Sequence, residues 1–291
     1  MKNKKKINKI TFIGMGLINS SLARDLKGKN FYNFSTVYSR RKSTLRKIKK
    51  LNLVDKIESD LEKSVIDADL IVVGIPVAAY EETFMRISHN LKPGAVITDV
   101  GSVKKEVIKI VRNFIPKNVS FIPGHPIAGT ENSGPESGFK GLFKNGWCVL
   151  TPYKETKNKE VKLVKKLWET VGMKVDIMDE HHHDEVLAIT SHIPHIIAYS
   201  IVGTVTNLES SIKKEVIKYA ASGFRDFTRI AASDPVMWRD IMLLNKLAIL
   251  KMLKLFKDDL NDLESAISKG DSKFLLDLFS RTRKVRKDII K

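Results

Sequence analysis

A chain of 291 residues, 43% hydrophobic and 29% charged, has the composition of a globular protein of one large domain or two of ordinary size. Its formal net charge of +18 raises a nucleic-acid or anionic-membrane surface. Yet the lysines are spread through almost every helical stretch, and no helix-turn-helix, zinc finger or aromatic-studded platform accompanies them. No nucleic acid or membrane partner is therefore expected, and the charge decorates solvated faces, with a minor pull on an acidic substrate.

The start, "MKNKKKINKI", is basic but leads directly into a strand, without an apolar region or small-residue cleavage site, so no signal peptide is expected. No apolar run approaches the ~20 residues that span a bilayer. The first half alternates short β-rich runs with helical patterns. Residues 9–15, 36–40, 70–76, 95–100, 119–124, 147–152 and 174–179 read as strands, several almost wholly apolar, as strands buried on both faces must be. Helices are expected over Leu17–Lys27, Lys104–Phe114 and Lys159–Val171. Such alternation specifies an α/β fold with a doubly wound, mostly parallel sheet. The single cysteine, Cys148, excludes an internal disulfide and fits a reducing cytoplasm, the expected location. After residue 179 strand signals stop. "EVLAITSHIPHIIAYSIVGTV" is nearly all apolar and is expected to be buried on most sides. Leu253, Phe256, Leu260, Leu263 and Ile267 form a stripe stepping by three and four. The division is placed at 1–179 for a nucleotide-binding domain and 180–291 for an all-helical one. The apolar helix and the stripe exceed what a small helical domain buries, which points to a homodimer.

The first strand ends in Gly14-Met15-Gly16-Leu17-Ile18-Asn19, a dinucleotide-binding loop whose third glycine is replaced by Asn19. Gly14 permits the tight turn, and Gly16 lets the backbone approach a pyrophosphate seated on the helix start at Leu17 and Ile18. Asn19, followed by Ser20 and Ser21, is small enough for helix and strand to pack with a slight shift. At the end of the second strand an acid would bond the 2′-hydroxyl of NAD. Here stand Ser39, Arg40, Arg41 and Ser43, which suit a 2′-phosphate, so NADP is expected in preference to NAD. A solvated basic turn is the alternative.

"PGHPIAGTENSG" (123–134) follows the fifth strand. Reacting ligands sit beyond the carboxyl ends of such strands, so His125 is a candidate general base. "DVGSVK" (99–104) offers Ser102 to the same crevice. Farther on, "TSHIPHIIAY" sets His192 and His195 three apart, and "SGFRDFTRIAASDPVMWRDI" carries Arg225, Arg229 and Trp238. An arginine among apolar residues and hydroxyls is a carboxylate clamp candidate. "EHHHDE" (180–185) invites a metal, but adjacent helical residues point ~100° apart, so it reads as a polar helix start. His192 and His195 share a face and could ligate zinc; a hydrogen-bonded role fits better, and no metal is expected.

"GMGLINSSLA", "DVGSVK", "GHPIAGTE", "TSHIPH" and "GFRDFTRIAASDPVMWRDI" together resemble the prephenate/arogenate (cyclohexadienyl) dehydrogenases of tyrosine biosynthesis, over nearly the whole chain. The resemblance implies a Rossmann-like N-terminal domain, a C-terminal helical dimerisation domain and oxidative decarboxylation of a small-molecule cyclohexadiene with hydride transfer to NAD(P). It implies that His125 accepts the ring hydroxyl proton, that Ser102 orients the hydroxyl or the histidine, and that Arg229 holds the substrate carboxylate. His195, Glu131 and Arg225 would form a polar network gating the pocket, and Trp238 part of its wall. Two alternatives are a dehydrogenase of the same plan acting on a hydroxyacid or imine, and a non-catalytic NADP-binding dimeric sensor. "GFRDFTRIA" argues against the first, and the presence of both His125 and Arg229 against the second.

Overall fold

The computed structural model describes residues 7–289. Six strands, β1 (Ile7–Ile13), β2 (Tyr32–Tyr38), β3 (Lys56–Glu58), β4 (Leu70–Val73), β5 (Val96–Asp99) and β6 (Ser120–Ile122), form a parallel sheet. Their order is β3-β2-β1-β4-β5-β6. The chain winds outward from β1 to β3 and then returns beside β1 with β4. This reversal opens a crevice at the carboxyl ends of β1 and β4, where loops diverge to opposite faces.

Side-chain alternation explains why the central strand β4 is continuously apolar. Leu70 and Val72 face a core completed by Leu22, Ala23 and Leu26 of α1 (Leu17–Leu26). Ile71 and Val73 face the other way, toward Tyr80, Phe84 and Ile87 of α4 (Tyr80–Ile87) and Val107 and Val111 of α5 (Lys105–Arg112). Between them run α2 (Lys42–Leu51) and α3 (Leu61–Val65). Each fully buried side chain of this size contributes roughly 1.5–3 kcal/mol.

The sequence pattern suggests one sheet, but the described residues form two. β7 (Gly124–Ile127), β8 (Trp147–Leu150) and β9 (Lys174–Ile177) form a second sheet in that order, β7 antiparallel and β9 parallel to β8. The run at 119–124 breaks at Pro123, which has no N–H for the ladder. Its carbonyl instead takes the amide of Thr151 at 3.0 Å. β7 is an edge strand, so it tolerates Pro126. β3, with three residues and two charges, had no apolar run to announce it. Helix α6 (Asn158–Thr170) packs Val164, Leu167 and Trp168 into the first core, and Cys148 is buried as a free thiol on β8.

From Glu180 every element is helical: α7 (Glu180–Leu187), a π-turn at Ala188–His192, α8 (Ile193–Thr206), α9 (Ser210–Tyr219), α10 (Ser222–Thr228), a 3-10 turn at Arg229–Ala232, α11 (Pro235–Leu244), α12 (Lys246–Lys269) and α13 (Ser272–Ile289). Two compact units result, Met1–Asn245 and Lys246–Lys291. The second is a helical hairpin of α12 and α13 that turns at Gly270, where φ is +67°. Two expectations need correction. The run Glu180–Thr206 is, by length and mean hydropathy (1.5), apolar enough to cross a bilayer. Its buried face carries His183, Asp184 and His192. And α8 is not buried on most sides within one chain: only Ile193 and Ala198 are.

Candidate active site

The loop after β1 answers how Asn19 replaces a glycine. Gly14 has φ +82°, and a Cβ there would meet the Gly74 carbonyl at 2.5 Å. Its own amide bonds to the carbonyl of Tyr38 at 2.8 Å. Asn19 is buried, and its amide donates to the Gly14 carbonyl at 2.8 Å. Room for it comes from Gly74, where a Cβ would lie 2.4 Å from the Asn19 nitrogen. Ser20 and Ser21 receive the loop that follows β7: Gly138 packs against Ser20, and the Phe139 amide bonds to Ser21 Oγ at 3.1 Å. Packing therefore survives through a compensating glycine just beyond the end of the neighbouring strand, β4.

The same loop fits a dinucleotide. Gly16 is the N-cap of α1 without a side-chain cap, and nothing lies within 4 Å of a Cβ placed there. The first turn, opened by Leu17 and Ile18, carries no acid. Free N–H groups at a helix start beside an open glycine form an anion site. Ser39 follows β2 and is half-buried, while Arg40, Arg41 and Ser43 are exposed.

The "DVGSVK" segment turns out to be a buried lock. Lys104 is fully buried and donates to Asp99 Oδ2 at 2.6 Å and to the Gly124 carbonyl at 2.7 Å. Asp99 also accepts from the Gly124 amide (3.0 Å), the Gly101 amide (2.9 Å) and the Tyr80 hydroxyl (3.1 Å). Gly101 cannot carry a Cβ, which would sit 2.8 Å from Asp99 Oδ2. Burial first, then the neighbouring Asp99 charge, pushes the Tyr80 phenol well above its ordinary pKa, so it remains a donor. The lock ties the end of β5 to the first residue of β7. Ser102 lies inside it, half-buried, on the loop before α5.

His125 is thereby placed in β7 itself, one residue beyond the lock, rather than in a loop after the fifth strand. It is buried, and its Nδ1 lies 2.9 Å from His183 Nε2. His183 Nδ1 in turn lies 2.8 Å from Asp184 Oδ1. Burial, then the nearby His183 and Lys104, hold the His125 pKa well below the ordinary 6.5. Burial also lowers His183, against the pull of Asp184. For Asp184, burial pushes upward but the bonds from His183, Lys104 and Lys105 outweigh it, so its carboxyl titrates below the ordinary value. The reading of "EHHHDE" as a polar helix start holds for His181 and His182, which are exposed, and fails for His183, which is not exposed at all.

In the helical part, His195 Nδ1 donates to the Ser191 carbonyl at 2.9 Å, leaving Nε2 as an acceptor. Its ring stacks on Trp238 with centroids 3.5 Å apart. Trp238 is buried and meets His192 edge-on. His192 is fully buried, held by Asn245 at 3.1 Å, and burial lowers its pKa to about 4. Arg229 pairs with Glu131 at 2.9 Å, although its side chain remains 58% exposed. Arg225 is exposed and, among the described residues, makes no ion pair. So Arg229 and Glu131 are brought together, as are His195 and Trp238; Arg225 and Ser102 are joined to neither pair. Sequence reasoning missed His183, Asp184, Asp99 and Lys104. Asp99 and Lys104 stood at the two ends of a motif already singled out for Ser102. Among the described residues no group of three or more His, Cys, Asp or Glu side chains is placed to hold a metal ion.

Comparison with known proteins adds to this geometry. Residues 22–177 match the family model described as prephenate dehydrogenase, nucleotide-binding domain, and residues 179–281 that described as prephenate dehydrogenase, dimerization domain. A cyclohexadienyl dehydrogenase of Zymomonas mobilis is 39% identical over 277 residues, covering 95% of this chain and 94% of that protein. A prephenate dehydrogenase of Lactococcus lactis is 33% identical over 96% of this chain and 77% of its own length. The crystal structure of prephenate dehydrogenase from Aquifex aeolicus, in complex with hydroxyphenyl propionate and NAD+, superposes with a TM-score of 0.91 at 33% identity, covering 99% of this chain and all (100%) of that one.

Proposed function

The chain belongs to the prephenate dehydrogenase family, and we propose that it oxidatively decarboxylates prephenate or arogenate, giving 4-hydroxyphenylpyruvate or tyrosine, with hydride passed to NAD(P). The observation that carries this reading is His125. It is a buried, neutral imidazole held in a strand with Nδ1 already engaged, so Nε2 is the atom left for a substrate. A depressed pKa keeps that nitrogen unprotonated at neutral pH, as a general base requires.

The residues divide the work. His125 takes the proton of the ring hydroxyl, and Ser102 orients that hydroxyl from the adjoining loop. Arg229, exposed and held by one carboxylate oxygen of Glu131, exchanges Glu131 for the substrate carboxylate, which a guanidinium can grip with two parallel N–H bonds. His195 and Trp238 form a polar-tipped aromatic wall, and Arg225 adds positive charge at the entrance. Gly14, Gly16 and the backbone of Leu17 and Ile18 would hold the pyrophosphate of the dinucleotide. When bound, the nicotinamide supplies the hydride acceptor. Loss of carbon dioxide aromatises the ring and makes turnover effectively irreversible.

NADP is preferred in this reading because Ser39, Arg40, Arg41 and Ser43 replace the usual acid. One arginine–phosphate pair at so exposed a site is worth up to ~1 kcal/mol, or about fivefold in affinity. The working form is a homodimer in the cytoplasm, built through the helical half. The division of labour falls near residue 179, with dinucleotide binding before it and substrate binding and dimerisation after it.

Steady-state reduction of NAD and NADP, with prephenate and with arogenate, tests all of this. Turnover with at least one cyclohexadiene is expected, with the higher kcat/KM for NADP. A double Arg40→Ala, Arg41→Ala variant should lose the NADP advantage and keep NAD turnover. No reduction with either substrate overturns the function. Equal cofactor values, or a preference for NAD, overturn only the assignment of the basic turn.

A further inference from the structure

His125 can act as a base at Nε2 only if its proton sits on Nδ1. A free imidazole distributes that proton between both nitrogens. What chooses here is visible in the contacts of Asp184. Its Oδ1 accepts from the Lys104 amide (2.9 Å) and faces His183 Nδ1 (2.8 Å), and its Oδ2 accepts from the Lys105 amide (3.0 Å). An ionised carboxylate only accepts, so His183 Nδ1 must carry a proton. Neutral His183 then presents a bare Nε2. At 2.9 Å from that lone pair, His125 Nδ1 must be the donor. His125 Nε2 is left bare.

We propose that His183 and Asp184 are positioning residues that set the tautomer of His125, and that Asp184 couples this choice to the loop bearing Ser102. The coupling is geometric. α5 has no side-chain cap from its own N-cap residue, Lys104. Asp184, 80 positions away from Lys104, supplies the cap from α7. The same carboxylate thus orients the base through His183 and anchors the helix that begins three residues after Ser102. α7 is anchored in return: the Asp184 carbonyl accepts from Asn245 Nδ2 at 2.8 Å. An amide at 184 sets its NH2 against one of the two backbone donors in either orientation; turned toward His183, it inverts every step of the chain and puts the proton on His125 Nε2.

This proposal rests on His125 being the base, and the test separates the two. Nitrogen-15 spectra of histidine-labelled whole enzyme, with the His125 signals assigned by their loss in His125→Asn, read each ring nitrogen directly. The expected wild-type pattern at neutral pH is a protonated Nδ1 and a bare Nε2. In Asp184→Asn the His125 Nε2 should become protonated, with turnover reduced on the order of 10²–10⁴-fold and the cofactor dissociation constant unchanged. Asp184→Asn also weakens the cap on α5, so a pair at 183 guards against misfolding. His183→Gln keeps an amide oxygen for the His125 Nδ1 proton, and His183→Leu does not. Glutamine should retain the tautomer and at least tenfold more turnover than leucine. A protonated Nε2 in the wild type overturns the proposal, as do equal losses for glutamine and leucine with the His125 tautomer unchanged. Near-normal turnover of His125→Asn would instead defeat the reading of His125 as base, whatever the spectra show.

Discussion

The surroundings of the proposed base and of the proposed carboxylate clamp are held differently. Around the first, His125, Asp99 and Lys104 are buried and bound to partners at 2.6–3.1 Å. At the second, Arg229 is 58% exposed and has one carboxylate partner. A base must meet a particular proton, so its orientation is set by buried bonds before substrate arrives. A clamp must exchange one anion for another, and an exposed ion pair contributes only ~0–1 kcal/mol. Glu131 can therefore be displaced at little expense.

The comparison is broken most severely at the proposed base. His125→Asn should lower turnover by ~10²–10⁴-fold, the worth of a positioned general base, with cofactor affinity retained when titrated in the absence of substrate. Next comes the lock beneath it. Lys104→Met should leave Asp99 buried without its cation and destabilise the fold by ~3–5 kcal/mol, read as a fall in the denaturant midpoint. The corresponding surface change, Arg229→Ala, should leave that midpoint nearly unmoved.

Acid sharpens the same contrast. His192 is neutral in the fold, with a pKa near 4 against an ordinary 6.5. The unfolded chain therefore binds more protons than the folded one between these values, and stability falls as the pH drops from 6.5 toward 4. The loss from this residue is about 3 kcal/mol, taking ~1.4 kcal/mol per unit. His125 and His183 shift in the same direction and add to it. A thermal melt series across this range checks the sign; stability rising on acidification would mean these rings are solvated. The smallest effect is at the proposed clamp. Arg229→Ala should raise the Michaelis constant by ~10–100-fold, corresponding to ~1.5–3 kcal/mol for a charge-assisted bond, with kcat less affected.

Apolar runs teach a related lesson about what a sequence discloses. β4 reads LIVV and is buried at every position. α8 reads almost as apolar, yet only Ile193 and Ala198 are buried within the chain. Hydrophobicity reports that a face will be covered, not by what. For β4 the cover is α1 on one side and α4 and α5 on the other. For α8 a second copy of the chain is the cover proposed above.

Local physics was legible in the residues. Short, almost wholly apolar runs marked β1, β4 and β5. The Gly14 turn, the anion-ready start of α1 and the character of the helical half could be read from a few neighbouring positions, because each depends on backbone conformation and on groups within a turn or two. The replacement of glycine by Asn19 was legible only as a small residue; its acceptance rests on Gly74, in the loop after β4. The two-sheet division, the Asp99–Lys104 lock and the His125–His183–Asp184 chain were decided by tertiary structure. His125 and His183 are 58 positions apart. Whether the third histidine of "EHHHDE" faces solvent or the His125 ring depends on which face of α7 docks, and three adjacent histidines do not mark that face. Docking is fixed by the packing of whole elements and by the need to satisfy every buried polar group at once, and neither is a property of any local stretch of chain.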